Sequence, residues 1–344
     1  MKLFKDWEYW STKYFYIPNV PYGLYLALRA KSLVFFSIAN PCIRFSGNGT
    51  ESKFKTLELI PKAHIPISIF IPTHEKIATV LEKIVEKNLN YPLIIKPDMG
   101  SRGLLVTQIK NESSLIDYLN KNNSIDLILQ EFLDYKNECA IFYHRLPNNK
   151  KGNITSLTLK KFLTVIGDGK SSLKSLVINN ERAKHYLKLI SLNHPEKLDS
   201  IPEKDIEVVL GVIGNHTKGT QFFDGNHLIT EELEQAMDRF FNKISDFHYG
   251  RLDLKYNSLD EIIHQNEFKV IELNGIISEP IHVYDGISGS YPRALKSFRE
   301  HWKILYDIGI QQKKNGVKYP SVGSFIKSIQ EFRSYLKKIE NLSK

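Results

Sequence analysis

The chain contains little cysteine: two of its 344 residues, Cys42 and Cys139. Two isolated cysteines exclude a disulfide framework and a cysteine-rich zinc site. They are typical of a protein kept in a reducing compartment, and we therefore expect a cytoplasmic location.

Long apolar runs are also lacking. The longest, Tyr22–Phe36, covers fifteen residues and contains Arg29 and Lys31, so it is too short and too charged to span a bilayer. Residues 1–20 are polar and aromatic, without the apolar core that marks a secretory signal. We therefore expect neither a membrane span nor a cleaved leader.

Acidic residues are outnumbered by basic ones, 38 to 47, which gives a formal net charge of +9. Such a charge attracts phosphates, nucleic acids and anionic membranes. The lysines are spread along the chain, however, and no helix-turn-helix, zinc-finger or RNP-type motif is present. We therefore expect no nucleic-acid partner, and a lysine-rich surface that faces water accounts for the charge.

Strand-like and helix-like segments are mixed without a regular strand–helix–strand rhythm, which favours an α+β fold over a doubly wound sheet. Sequence patterns predict helices over 73–87, 113–120, 170–190, 230–246 and 293–344. Apolar runs predict strands over 92–96, 104–109, 127–133, 138–145, 157–166, 251–256 and 268–273.

A glycine-containing turn follows a strand in the stretch LIIKPDMGSRGLLV. Lys96 lies at the end of the strand, and the turn contains Gly100, Ser101, Arg102 and Gly103. Glycines let backbone N–H groups approach phosphate oxygens, and a lysine beside such a turn can bind phosphate as a point charge. The Gly-Lys-Ser/Thr signature of a Walker A loop is absent there. The alternative is an ordinary β-hairpin with an exposed lysine.

A second candidate site is the stretch LILQEFLDYKNECA. Gln130 closes an apolar strand, and the backbone of the linker after it can form hydrogen bonds to an adenine. Glu138, eight residues further on, can accept hydrogen bonds from both ribose hydroxyls. The alternative is the end of a strand or helix whose acids face water.

Two later strands each carry a polar pair. Arg251 and Asp253 share a face of RLDLKY, and Glu272 and Asn274 share a face of VIELN, because side chains alternate along a strand. If the strands pair, Asp253, Glu272 and Asn274 converge as three oxygen ligands of the kind that magnesium prefers. Arg251 would lie beside the metal, where it can bind a transferring phosphoryl group. The alternative is a set of surface ion pairs.

These stretches, in this order, resemble the ATP-grasp superfamily, above all its carboxylate–amine ligases such as D-alanine–D-alanine ligase and the ATP-grasp part of cyanophycin synthetase. The resemblance covers roughly residues 55–295 and lies in the ordered set, since no single stretch is specific. It implies an ATP-grasp fold with two α+β lobes that clasp ATP. We divide the chain into an aromatic-rich segment (1–54), a small lobe (55–135), a large lobe with the metal site (136–295) and a helical tail (296–344).

The resemblance implies a nucleotide site in the first half of the chain. Lys96 would contact the phosphates, and the turn from Gly100 to Gly103 would fold over them. Glu138 would bind the ribose. Adenine would be held by the hinge residues Gln130, Glu131 and Leu133.

The resemblance also implies the chemistry of the later strands. Asp253, Glu272 and Asn274 would hold Mg²⁺, or Mn²⁺ in its place. Arg251 would steady the reacting phosphate and the tetrahedral intermediate.

Two further stretches, VIGDGKSSLKSLV and NHTKGTQFFD, resemble the cyanophycin synthetase branch. The latter stretch is similar to a polar loop that faces the triphosphate in that branch. The resemblance implies phosphate-side roles for its residues Asn215, Thr217, Lys218 and Gly219. Lys160 and Lys161 are alternatives for a second phosphate lysine.

The sequence departs from the peptide ligases after Asn274. In those ligases a Pro-Gly turn helps to form the acceptor pocket, whereas this chain reads NGIISEP. The acceptor therefore does not follow from the resemblance, and Ser278 and Glu279 are candidates to meet an acceptor amine.

The implied function is an ATP-dependent ligase that joins a small-molecule carboxylate to an amine through an acyl phosphate and releases ADP and phosphate. One alternative is an ATP-grasp kinase that phosphorylates a small molecule. Another is a peripheral membrane or interaction protein with a vestigial nucleotide fold, whose aromatic N-terminal segment, with Arg29 and Lys31, contacts anionic lipid. Against this, Trp7, Trp10, Phe35 and Phe36 would simply pack under the lobes in place of a first domain.

Overall fold

The structure, a computed structural model, describes residues 7–101, 103–193, 195–211, 213–264 and 267–343. The chain forms two compact units. The larger contains the described residues up to Leu159 and those from Asp224 onward, and the smaller is Lys160–Phe223. The sequence did not predict these boundaries.

Helices and strands are numbered here in chain order. The α-helices are α1 (Lys13–Tyr16), α2 (Val20–Ala30), α3 (Lys53–Glu58), α4 (Ile77–Glu86), α5 (Glu112–Asn122), α6 (Leu173–Asn179), α7 (Leu187–Asn193), α8 (Glu231–Phe241), α9 (Leu259–His264), α10 (Tyr291–Lys314) and α11 (Val322–Leu342). The strands are β1 (Ser68–Ile71), β2 (Leu93–Pro97), β3 (Thr107–Ile109), β4 (Leu127–Glu131), β5 (Asn137–His144), β6 (Asn153–Lys161), β7 (Thr164–Ile166), β8 (Glu207–Val209), β9 (Gln221–Asp224), β10 (Tyr249–Tyr256) and β11 (Lys269–Asn274).

The first sheet of the larger unit has the order β1–β4–β2–β3, with antiparallel neighbours. Its core joins strand residues such as Ile95 and Leu129 to Val80 of α4 and Leu115 of α5, all of them fully buried. α4 and α5 present one apolar face each, because their apolar residues recur at helical spacing. The predicted glycine turn follows β2 in the chain and leads to β3, the edge strand of this sheet.

The second sheet of the larger unit carries the predicted polar pairs. The strands β11, β10, β5 and β6 are neighbours in that order in this sheet. β10 pairs antiparallel with both β11 and β5. α8, α9 and α3 cover its core, where Phe240, Ile262 and Leu57 are buried. The predicted pairing of the two apolar strands, on which the metal prediction depended, is confirmed.

The smaller unit has an apolar core of its own. β7 pairs antiparallel with β8, and Val165, Leu173 and Val177 of β7 and α6 are buried together with Ile190 of α7.

The aromatic N-terminal segment packs against α10. Trp7 and Phe15 are buried beside Phe298, and Phe35 is buried beside Leu305. The packing prediction is therefore confirmed for Trp7 and Phe35, although other side chains of this segment are exposed. None of the described helices is both long and apolar enough to cross a membrane.

Two predicted strands differ from those found. The strand expected over 104–109 is reduced to β3, because Leu105 has a left-handed φ of 55° and the turn extends to Val106. The strand expected over 157–166 is two strands, β6 and β7. The predicted α+β class and the helical tail, formed by α10 and α11, are confirmed.

Candidate active site

Four polar side chains meet on one face of β10 and β11. Arg251 lies opposite Asn274, and Asp253 lies opposite Glu272, so all four project from the same side of the sheet. Nε and Nη2 of Arg251 donate to Oδ1 and Oδ2 of Asp253 at 3.1 and 3.0 Å. Nδ2 of Asn274 donates to Oδ2 of Asp253 at 3.4 Å. Because Asp253 is only 4% exposed, this is a buried cluster and not the surface ion pairing of the alternative interpretation.

Two lysines from other elements flank Glu272. Lys53, in the first turn of α3, forms a salt bridge with its carboxylate, and the two side chains are 20% and 27% exposed. Lys96, at the end of β2, donates from Nζ to the backbone oxygen of Ile271 at 3.0 Å. Lys53 and Lys96 thus reach the same short stretch of β11.

The sequence interpretation did not single out Lys53. Its one local signal is the stretch ESKFK, in which Ser52 is the N-cap of α3 and accepts a hydrogen bond from the backbone N–H of Lys55. That signal predicts where the helix begins. It does not identify the partner of Lys53, which lies 219 residues away.

Asp98 fixes the position of α3 beside β2. Its Oδ1 accepts hydrogen bonds from Ser52 Oγ and the backbone N–H of Phe54, both at 2.9 Å. Burial raises the pKa of Asp98 above its ordinary value, and these hydrogen bonds partly offset burial. This contact holds the first turn of α3, and with it Lys53, close to the end of the strand that carries Lys96.

The charges of the cluster shift one another's pKa values. Burial raises the pKa of Glu272, but the charges of Lys53, Lys96 and Arg251 outweigh burial and hold that pKa well below its ordinary value. Burial lowers the pKa of Lys96 to about 8, and the Glu272 charge offsets burial only in part. Burial also acts to lower the pKa of Lys53, but its salt bridge with Glu272 keeps that pKa above the ordinary value. At neutral pH Glu272 is therefore negatively charged, and Lys53 and Lys96 are cations beside it.

The predicted glycine turn follows β2. Gly100 and Gly103 have positive φ angles of 151° and 66°, which glycine adopts at little cost. Ser101 lies between them, and Arg102 lies outside the described residues. The turn is present, and its contact with phosphates stays a prediction.

The predicted adenine hinge is the exit of β4. The side chain of Gln130 donates from Nε2 to Ser68 Oγ, and that of Glu131 accepts from the backbone N–H of Ile67, both at 2.9 Å. Leu133 is buried. These side chains hold β4 against the segment around β1, and adenine binding by the hinge stays a prediction.

Glu138, the predicted ribose acid, is buried near the beginning of β5. It lies opposite Lys255 of β10. Lys255, Asp253 and Arg251 alternate onto one face of β10, so Glu138 projects from the same sheet face as the cluster.

The predicted phosphate-side loop lies in the smaller unit. Asn215 Oδ1 accepts hydrogen bonds from the backbone N–H and the hydroxyl of Thr217, at 2.9 and 2.8 Å. Lys218 ends a turn of 3-10 helix, and Gly219 follows it with a φ of 99°. The role of these residues toward ATP stays a prediction.

Lys160 and Lys161 end β6. Lys161 Nζ lies 3.9 Å from the Glu207 carboxylate, and both side chains are largely exposed. The two lysines stay alternatives.

The segment after β11 positions the two acceptor candidates differently. The Glu279 carboxylate accepts hydrogen bonds from the hydroxyls of Tyr16 and Tyr284, at 2.8 and 2.6 Å. Its backbone oxygen accepts one from Arg251 Nη1 at 3.2 Å. Ser278 is buried and donates its hydroxyl within its own turn. Glu279 is therefore connected directly to the cluster, whereas Ser278 stabilises the turn.

The predicted ligands carry the type of donor atom that magnesium prefers. The carboxylates of Asp253 and Glu272 and the amide oxygen of Asn274 are hard donors on one sheet face. In the described ranges no three His, Cys, Asp or Glu side chains cluster as a metal site. Magnesium here would therefore depend on two carboxylates and an amide, with phosphate oxygens and water completing its shell.

Residues 50–147 match the family model of the RimK-like ATP-grasp domain. The predicted resemblance to the ATP-grasp superfamily is thereby confirmed for this range, and an ATP-grasp domain implies ATP binding. The matched range includes Lys53, Lys96, the glycine turn and the hinge, and it ends before β10 and β11.

Three solved structures illustrate the likeness. A D-alanine–D-alanine ligase from Bacillus anthracis is 11% identical, with a TM-score of 0.44, over 80% of this chain and 72% of that chain. A D-Ala:D-Ser ligase from Enterococcus faecalis is 14% identical, with a TM-score of 0.42, over 76% and 62%. A bifunctional glutathione synthetase from Pasteurella multocida is 17% identical, with a TM-score of 0.38, over 72% and 36%.

The chain thus spans less than two thirds of the length of the latter two proteins. At such identities and TM-scores these structures assign no substrate to this chain. No curated protein matches the sequence.

Proposed function

We propose that the protein is an ATP-dependent ligase that joins a carboxylate to an amine through an acyl phosphate. The observation that carries this proposal is the buried cluster in which Lys53, Lys96 and Arg251 surround the carboxylates of Asp253 and Glu272. Phosphoryl transfer depends on positioning and on electrostatic stabilisation, which preorganised cations in a site shielded from water supply. The ATP-grasp match over residues 50–147 supports the same proposal.

In the first step, an oxygen of the substrate carboxylate bonds to the γ-phosphorus of ATP. The bond from that phosphorus to the bridging oxygen breaks, ADP leaves, and an acyl phosphate forms. Lys96 and Lys53 bind phosphate oxygens and offset their negative charge. Magnesium held by Asp253, Glu272 and Asn274 would supply further positive charge at the phosphates.

In the second step, the amine attacks the acyl carbon. Arg251 stabilises the resulting oxyanion, phosphate leaves, and the amine loses a proton as the amide forms. Glu279 is our candidate to bind the amine or accept its proton, because it contacts Arg251 through its backbone and carries a carboxylate. The reaction needs no side-chain nucleophile.

The test is ATP-dependent phosphate release in the presence of magnesium, hydroxylamine and a pool of amino acids and small carboxylates. Wild-type protein is expected to form a hydroxamate, because hydroxylamine traps an acyl phosphate. Glu272→Gln removes the charge that attracts Lys53 and the metal, and we expect hydroxamate formation to fall by about a hundredfold or more. Glu331→Gln is the matched control. Glu331 lies on α11 and forms an exposed salt bridge with Arg44, so this variant should retain the wild-type rate.

Each outcome has a distinct meaning. Phosphate release without hydroxamate would indicate a bare ATPase, and ADP formation without phosphate release or hydroxamate would indicate a kinase in place of a ligase. Unchanged turnover in Glu272→Gln would contradict the assignment of metal and phosphate to β11.

A further inference from the structure

The N-terminal segment exposes an unusual amount of apolar surface. Among the described residues, eight of the twenty large hydrophobic side chains that are exposed lie between Tyr9 and Leu33. Single exposed apolar side chains are ordinary, but a concentration of them marks an interaction site. The surface of this segment therefore needs a partner.

Helix α2 exposes three of its aliphatic side chains in a row. Val20, Leu24 and Leu28 recur every fourth residue and are 44%, 53% and 79% exposed, so they form one stripe along the helix. The buried residues of the helix are Leu26, Ala27 and Ala30. A Cβ at Gly23 would lie 2.6 Å from the ring of Trp302 on α10. The helix thus approaches α10 closely and exposes Val20, Leu24 and Leu28.

Four further exposed side chains lie on α2 or close to it in the sequence. Tyr14, Ile17, Tyr25 and Leu33 are between 48% and 63% exposed. We call the whole surface the apolar face; its members are Tyr14, Ile17, Val20, Leu24, Tyr25, Leu28 and Leu33.

The charge of the segment that carries the apolar face has one sign. No Asp or Glu occurs between Glu8 and Glu51, whereas Lys13, Arg29 and Lys31 do. Arg29 lies 5.8 Å from the ring centroid of Tyr25, so a guanidinium is held at the edge of the face. On α10, which packs against α2, the acids Glu300 and Asp307 each form an ion pair with a lysine of the same helix.

We propose that the apolar face docks on an anionic phospholipid surface. An aliphatic stripe bordered by aromatic and basic side chains is the composition of helices that lie in the membrane interface. A second copy of the chain is a poorer occupant, because it would place two surfaces bordered by Lys13, Arg29 and Lys31 against each other. The proposal is independent of the ligase chemistry, since none of these residues belongs to the cluster around Glu272.

The test is sedimentation of the full-length protein with vesicles of phosphatidylcholine, with and without phosphatidylserine. Wild-type protein is expected to bind the phosphatidylserine vesicles and to be released by added salt. The double variant Leu24→Ser with Leu28→Ser should bind at least about tenfold more weakly. Val322→Ser with Ile326→Ser removes two exposed apolar side chains of α11 and serves as the matched control, with wild-type binding expected.

A second variant tests the basic border. Arg29→Gln with Lys31→Gln should reduce the preference for phosphatidylserine vesicles and keep the apolar stripe intact. Thermal unfolding of every variant checks that the fold is retained, which is expected because the changed side chains are exposed.

Three results would overturn the proposal. They are no binding of wild type to phosphatidylserine vesicles, equal binding by the Leu24/Leu28 variant, and a wild-type dimer that this variant converts to monomer. The last would identify the apolar face as an interface between copies.

Discussion

Lys96 is a cation whose charge depends on its burial. Its side chain lies at the end of β2 and is 9% exposed, and burial lowers its pKa to about 8. The ammonium is therefore charged at neutral pH and loses its charge in mildly alkaline solution. A phosphate that relies on this charge is held less tightly once the pH exceeds that pKa.

We expect the Kd for ATP to rise as the pH passes through about 8, by about tenfold for each further pH unit. In Lys96→Arg the cation stays charged at these pH values, so this rise should disappear even if binding is weaker overall. Isothermal titration calorimetry of both proteins with magnesium and ATP measures the difference. Any protonation of ATP itself affects both proteins equally. Identical pH profiles would contradict a phosphate contact by Lys96.

Glu272 illustrates how far a single residue could be interpreted from sequence. A carboxylate in an apolar strand requires a partner, because an unpaired buried charge is costly. The sequence interpretation assigned a metal as that partner, which stays a prediction, and the structure adds the ammonium of Lys53. The need for a partner was predictable from the neighbours of Glu272 in the strand, but the identity of Lys53 was not.

At the scale of elements, the end of β11 is fixed by a close backbone contact. The backbone N–H groups of Ile276 and Ile277 donate to the carbonyl oxygens of Ser46 and Gly47, both at 2.9 Å. Gly275 lies between the end of β11 and this backbone contact. A Cβ at Gly275 would lie 2.0 Å from the backbone oxygen of Ser46. The glycine after Asn274 is therefore required by packing.

Gly275→Ala is expected to push these two segments apart and to lower the free energy of unfolding by about 1–3 kcal/mol. It should also weaken ATP binding, because Asn274 and Glu272 immediately precede the contact. Gly323→Ala in α11 is the control, since its Cβ would meet no atom within 4 Å, and alanine in a helix stabilises by about 0.5–1 kcal/mol. Urea unfolding measures both, and a Gly275→Ala variant as stable as the wild type would show that the contact at Ser46 yields without cost.

The elements that sequence patterns predicted well are those with a clear period. Alternation placed Arg251 with Asp253 and Glu272 with Asn274, and each pair shares a strand face as predicted. The strand expected from Leu104 failed because an apolar run does not show that Leu105 adopts a left-handed φ of 55°. Such a turn depends on its surroundings and leaves no periodic signal.

At the scale of the whole molecule, the last helix completes the core of the first sheet. Ile339 of α11 is fully buried in the same core as Ile95 and Leu115. Its Cδ1 also lies 3.3 Å from the position of a Cβ at Gly100, so α11 supports the glycine turn. A segment predicted only as a helical tail is therefore part of the structure that positions the candidate nucleotide site.

Ile339→Ala should lower the free energy of unfolding by about 2–5 kcal/mol, because it leaves a cavity in that core. Ile326→Ala on the same helix removes a side chain that is 49% exposed, and we expect a change within about 0.5 kcal/mol. Chemical denaturation of the two variants provides the comparison. A small effect at Ile339 would mean that α11 is not required for the core of the first sheet.

The sequence by itself determined the α+β class, the pairing of the two polar strands and the helical nature of the tail. These features follow from local periodicity, because burial of one face of a strand or helix imposes a pattern on consecutive residues. Only the tertiary structure decided that Lys53 pairs with Glu272, that Glu279 lies between the hydroxyls of Tyr16 and Tyr284, and that α11 closes the core of the first sheet. The Lys53–Glu272 pair is separated by 219 positions in the sequence and the Tyr16–Glu279 pair by 263. Contacts between residues so far apart in the sequence arise from packing between elements, and such packing imposes no pattern on neighbouring residues.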